Sequence, residues 1–202
     1  MAGSETAAGA QAPASADTFP KLLRWHASVR GARPAMRHKD HGIWQTWTWS
    51  EVRDLVTLLA HGLRKLGIRR GDRIAIAGAN RPRLYWAMAA AQTLGAIPVP
   101  VYADAVAAEL GKILANAGVR IAVVQDQEQV DKFISINDEL KTLERTLYDE
   151  KRGLEDYDHV RLMEVDALIE EARADFARDA PLRAAIEAEV DKGRPDRKST
   201  RL

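Results

Sequence analysis

His38-Lys39-Asp40-His41 places two imidazoles and a carboxylate within four residues, a grouping able to ligate a metal ion. No third ligand follows at a defined spacing and Gly42 comes next, so the stretch reads as a polar turn. His26, His61 and His159 stand far apart and read as surface or half-buried imidazoles. Trp44, Trp47 and Trp49 could stack on bases, but no basic groove accompanies them. A Trp-rich strand packing on the core, with Trp49 at a helix start, accounts for them better. Glu128 and Asp131 fall on a predicted helix near Asp126 and read as its solvated face.

Larger motifs are missing. The turn Ala77-Gly78-Ala79-Asn80-Arg81-Pro82 follows a predicted strand, where a dinucleotide site needs several glycines. It has one glycine and a proline, which excludes that site. No Gly-Lys-Ser/Thr phosphate loop, Gly-x-Ser-x-Gly elbow or His-Glu-x-x-His helix occurs. Cysteine is absent, which rules out disulfides, thiolate zinc sites and thiol nucleophiles. From its residue types the sequence nominates no catalytic, cofactor-binding or metal-binding residue.

The elements that would position any site are clearer. Thr48-Trp49-Ser50-Glu51 fits a capping box, and Val52, Leu55, Val56, Leu59, Leu63 and Leu66 recur at helical spacing up to Gly67. Arg73 to Ala77 reads as a buried strand. Asn80 is placed to cap the next helix, with Pro82 in its first turn and Gly95 as its stop. Ile97 to Tyr102 is extended, and Pro98 and Pro100 favour a sheet edge or a crossing segment. A helix over 106–117 follows, with Leu110, Ile113 and Leu114 on one face, then a strand over 121–124. This alternation predicts an α/β fold of parallel βαβ units with right-handed crossovers. Further on, a helix is expected over 127–136, a short strand over 145–148 and a helix over 164–176. A last Ala/Glu-rich helix, over 184–192, has little to pack against.

The chain has 202 residues, 46% of them apolar and 29% charged, which suits one globular domain. Thirty Lys and Arg against 29 Asp and Glu leave +1, so a nucleic-acid partner is not expected. No apolar run is long enough for a transmembrane helix. No Lys/Arg-rich amphipathic anchor is evident, so a cytoplasmic location is expected, with peripheral membrane contact left open. Residues 1–18, rich in Ala, read as a disordered tail, and with Glu5 and Asp17 as the only charges they do not form an export signal. Residues 196–202, Asp-Arg-Lys-Ser-Thr-Arg-Leu, resemble the in-frame translation of a sequencing adapter. That segment carries three basic groups and one acidic group, so without it the charge of +1 becomes −1. The expected domain is therefore 19–195, with the gene continuing beyond it.

The run Trp47-Thr48-Trp49-Ser50-Glu51-Val52, with Gly62-Leu63 and Leu66 through Ile76, resembles the opening of adenylate-forming (AMP-binding) acyl-CoA synthetases. Asn80-Arg81-Pro82 and Leu94 through Tyr102 resemble the second segment those enzymes share. Tyr102-Ala103-Asp104, Glu109, Ile113-Leu114 and Val123 through Lys132 are similar to the long-chain fatty-acid–CoA ligase branch. The likeness runs from about Phe19 to Ala174 and identifies the chain as an N-terminal portion of the large domain of such an enzyme.

The resemblance implies carboxylate adenylation with ATP and Mg²⁺, then thioester formation with coenzyme A, on a fatty-acid substrate. The family's Ser/Thr/Gly-rich loop ending in Pro-Lys-Gly, its nucleotide contacts and its C-terminal lysine have no counterpart here, so no catalytic residue can be carried over. This chain alone is then expected to be inactive and to bind none of those cofactors well. An aryl-acid CoA ligase fragment is one alternative, and a short non-catalytic partner-binding protein is another.

Overall fold

The computed structural model describes residues 11–158 and 161–195. Residues 1–10 of the expected tail, His159 and the expected adapter segment 196–202 lie outside them. In the rest of that tail, the Ala16 amide donates to the Pro13 carbonyl at 2.8 Å, and Asp17 pairs with Lys21 at 2.7 Å.

A helix α1 (Phe19–Arg30) leads into an antiparallel hairpin of β1 (Pro34–Asp40) and β2 (Ile43–Thr48). Then come α2 (Trp49–Lys65), β3 (Arg73–Ala77), α3 (Pro82–Thr93), β4 (Ile97–Val101), α4 (Ala107–Ala117) and β5 (Ile121–Val124). The chain continues through α5 (Gln127–Ser135), β6 (Arg145–Tyr148), β7 (Leu162–Glu164), α6 (Val165–Arg178) and α7 (Ala180–Glu189) to a 3₁₀ turn (Val190–Lys192). The second sheet has five strands in the order β4-β3-β5-β6-β7, every pair parallel. The fold is α/β, as the alternating pattern predicts. Among the described residues no helix is long and apolar enough to cross a membrane.

Strand alternation splits the core in two. Ile74, Ile76, Ile121, Val123 and Leu147 face α2, α3, α6 and α7. Ala75, Ala77, Ala122 and Val124 face the other way, onto Leu110 and Leu114 of α4 and Val130 and Phe133 of α5. Short apolar runs such as Arg73–Ala77 suit this sheet because both of its faces are covered. The α2 helix lies between α3 on one side and α6 and α7 on the other, so Thr57 through Leu63 are buried right round the helix. Gly62 permits that approach, since a Cβ there would meet the Leu168 side chain of α6.

The α2 start is a capping box. Thr48 Oγ1 accepts from the Glu51 amide at 3.3 Å, and Glu51 Oε2 accepts from the Thr48 amide at 2.7 Å. Four expectations need correction. The α3 N-cap is Arg81, not Asn80: a residue preceding proline is held extended, and Arg81 sits at φ −107°, ψ 151°. Ile113 is about half exposed, because Leu110, Gly111 and Leu114 form the buried stripe of α4. The last helix begins at Ala180 and does pack: Ile186 is buried in the larger core, and Arg183 pairs with Asp54 of α2 at 2.5 Å. Of the strand tryptophans only Trp47 meets the core; Trp44 is exposed.

Pro98 and Pro100 make β4 an edge strand, as their spacing predicts. The Ile97 amide donates to the Asp72 carbonyl at 2.7 Å, so in this parallel ladder the amides of Ile97, Val99 and Val101 face β3. The alternate positions face outward, and both are prolines. The outer edge of β4 offers carbonyls at these positions and no N–H groups.

Candidate functional site

Open parallel sheets bind ligands beyond the C-terminal ends of their strands, where the strand order reverses. Here the chain leaves β3 for β4 on one side and returns to place β5 on the other, so the reversal lies between β3 and β5. Gly78 and Ala79 follow β3, and Gln125 and Asp126 follow β5.

The buried side chain of Gln125 fills the gap between them. Its Oε1 accepts from the Ala79 amide at 2.6 Å, and its Nε2 donates to Asp126 Oδ2 at 3.0 Å. Asp126 Oδ1 in turn accepts from the Gln129 amide at 3.3 Å and caps α5. Gly78 has φ +149°, and a Cβ there would stand 2.6 Å from Gln125 Cβ and 2.7 Å from Leu84 Cδ1. The turn is closed by the protein's own amide.

Beside it, the first turn of α3 is bound to the sheet by ion pairs. Arg81 pairs with Glu150, Arg83 Nε meets Asp149 Oδ1 at 2.7 Å, and the Arg83 guanidinium also donates to both oxygens of Asp166. Burial pushes the Asp149 carboxyl above the usual carboxylate range, and Arg83 opposes this only in part. Burial also works against the Arg83 charge, but its bond to Asp166 and the charges of Asp149 and Asp166 hold its pKa above the ordinary value. Carboxylates neutralise both cations at this edge.

Further out lies an open cleft of 690 Å³, floored by Ile76, Leu84 and Met88 and flanked by Tyr85 and Tyr102. Asn80 and Asp104 add polarity. No nucleophile with an adjacent base lines this cleft. It has the character of a contact surface with an apolar floor.

The chemistry-bearing residues singled out from the sequence do not converge. His38 lies on β1, while His41 occupies the hairpin turn, 3.8 Å from Asp40. The four-residue run is therefore mostly strand, with only its last residue in the turn. Among the described residues no group of three or more His, Asp or Glu could hold a metal ion. His26 stacks on Trp49 at 4.3 Å, and burial, with Arg30 nearby, lowers its pKa. Glu128 pairs with Lys132 at 2.9 Å, and Asp131 accepts from the Tyr157 hydroxyl at 2.6 Å. His61 is buried on α2, with Nε2 3.0 Å from Asp175 Oδ2; Lys65 Nζ donates to the same oxygen at 2.7 Å and Arg178 to the other. This group fastens α2 to α6, and the sequence signalled it only by placing His61 within the helix that both sides cover. Gln125 and the Arg83 pairs gave no sequence signal, since their partners lie far along the chain.

Comparison with known proteins gives the following. The family described as AMP-binding enzyme matches residues 23–188. A long-chain-fatty-acid–CoA ligase of Rattus norvegicus is 30% identical over 119 residues, 59% of this chain and 18% of the ligase. The solved acetoacetyl-CoA synthetase of Streptomyces lividans superposes with a TM-score of 0.68 at 23% identity, over 75% of this chain and 24% of that one. An anthranilate–CoA ligase solved with anthranoyl-AMP gives 0.67 at 20% identity, over 75% of this chain and 27% of that one. The chain thus spans about a fifth to a quarter of the length of these proteins.

Proposed function

The chain belongs to the AMP-binding enzyme family, and from that premise we propose that it is the opening part of the large domain of an ATP-dependent acid–thiol ligase acting on long-chain fatty acids. The fatty-acid reading draws on the rat ligase, a likeness in sequence; the aryl-acid likeness is one of fold. The whole enzyme would adenylate the carboxylate with ATP and Mg²⁺ and pass the acyl group to coenzyme A. This part contributes scaffold, and we assign no catalytic, nucleotide-binding or metal-binding residue to it.

The closed turn after β3 is the observation that carries this reading. A triphosphate needs free backbone amides and unneutralised cations. The Ala79 amide is taken by Gln125, the α5 start is capped by the carboxylate of Asp126, and Arg81 and Arg83 are held by Glu150, Asp149 and Asp166. The residues at this turn do not fit a triphosphate.

Two measurements test the proposal. Pyrophosphate exchange with ATP and a fatty acid is expected to show no turnover by this chain; turnover would overturn the scaffold role. Sequencing the gene past the Pro195 codon is expected to continue the frame into a Ser/Thr/Gly-rich loop ending in Pro-Lys-Gly. A frame that stops after Leu202 would refute the ligase part and leave ancestry alone.

A further inference from the structure

A second cleft, of 500 Å³, lies among α1, α2, α3 and the base of the β1–β2 hairpin. Helix α1 lines it with Phe19, Leu22, Leu23 and His26, and α3 with Tyr85, Met88, Ala89 and Gln92. Each set follows the i, i+3, i+4, i+7 spacing of one helix face. Val52 and Val56 of α2 and Met36 of β1 complete the lining. Phe19 is 72% exposed and Tyr85 45%, so these two rings stand at the mouth.

The walls are fixed by their own contacts. The buried Trp86 donates from Nε1 to Met36 Sδ at 3.3 Å and meets Trp47 edge-on at 5.2 Å. His26 is held between Trp49, stacked at 4.3 Å, and Trp25, edge-on at 4.7 Å. Its Nδ1 is shielded from water and has no hydrogen-bond partner among the described residues. An unpaired buried atom of this kind is unfavourable, and a ligand N–H or hydroxyl would supply the partner.

No Asp, Glu, Lys or Arg lines this cleft, whereas the one beyond the strand ends holds Asp104. His26 is itself neutral at pH 7, because burial and the nearby Arg30 charge hold its pKa below the ordinary imidazole value of 6.5. A charged molecule would lose its hydration here and meet no counter-ion. An aromatic molecule fits: the rings of Trp49, Trp86 and Tyr85 suit offset or edge-on packing, and the Met36 and Met88 thioethers suit ring edges. The volume lies within the roughly 300–1,000 Å³ of small-molecule sites. We propose that this cleft binds an uncharged aromatic molecule bearing one N–H or hydroxyl, with its ring among Trp49, Trp86 and Met88 and its polar hydrogen at His26 Nδ1. The inference stands on this cleft alone and does not depend on the ligase reading.

Titration of the chain with N-phenylnaphthylamine, an uncharged aromatic amine whose fluorescence rises in apolar surroundings, tests it. Saturable binding is expected, with a thermal midpoint that climbs as the probe is added. Anilinonaphthalene sulfonate keeps the same rings and amine but adds a charge, and it is expected to bind about tenfold more weakly or worse. His26→Phe retains the stacked ring without Nδ1 and is expected to weaken binding of the amine by about tenfold. Ala89→Trp fills the cleft and is expected to abolish saturable binding. Gln92 is only half-buried, so Gln92→Trp decides the point if Ala89→Trp no longer melts cooperatively. The proposal is overturned by an absence of saturable binding, by equal binding of the sulfonate, or by native affinity in His26→Phe or in the folded Trp variant.

Discussion

Gln125 shows how one side chain decides what a sheet edge can do. A glutamine after a buried strand is unremarkable in sequence, yet its amide occupies the gap at the strand-order reversal and takes the Ala79 N–H. Sequence could exclude a glycine-rich phosphate turn by counting glycines between Ala77 and Pro82. It could not show what fills the space, because Gln125 lies 46 residues beyond Ala79. Asp175 gives a direct test at this scale. The hydrogen bonds of Lys65 and His61, with Arg178, hold its carboxyl well below the usual carboxylate range, although burial acts the other way. A carboxyl whose folded pKa is depressed adds stability above its unfolded pKa, near 3.9, and loses that contribution as pH falls through the folded value. Asp175→Asn should therefore flatten the loss of stability on acidification below about pH 4. Denaturant melts between neutral and strongly acid pH check this, and parallel acid losses in native and variant chains would rule out the role.

At the scale of elements, what was legible followed from local rules. The capping box at Thr48 and Glu51, the strand at Arg73–Ala77 and the edge character of Ile97–Val101 each rest on residues close in sequence. The elements that eluded the pattern are set by distant partners. The β1 strand reads as polar because most of the hairpin meets solvent, and α7 reads as unsupported because α2, against which it packs, lies more than a hundred residues earlier in the chain. The burial of Ile186 makes α7 part of the core, and Ile186→Ala should destabilise the protein by about 2–4 kcal/mol. A thermal or urea midpoint close to the native value would mean that α7 is dispensable, as its sequence alone suggests.

At the scale of the whole molecule, the five-stranded sheet has two unlike edges. On β4 the outward positions carry no N–H groups, which leaves a neighbouring strand without half of the hydrogen bonds it needs. Pro98→Val with Pro100→Val restores those donors on an edge near exposed Ile97 and Tyr102, and light scattering should then show more association than the native chain does. Unchanged scattering would mean that the prolines do not guard this edge. The same edge bears on synthesis at the ribosome. With β4 on one side of β3, the strands made later all lie on the other side, in the order β5, β6, β7. Beyond β5 each strand pairs with the one made just before it, β6 on β5 and β7 on β6, so that side of the sheet extends in the order of synthesis.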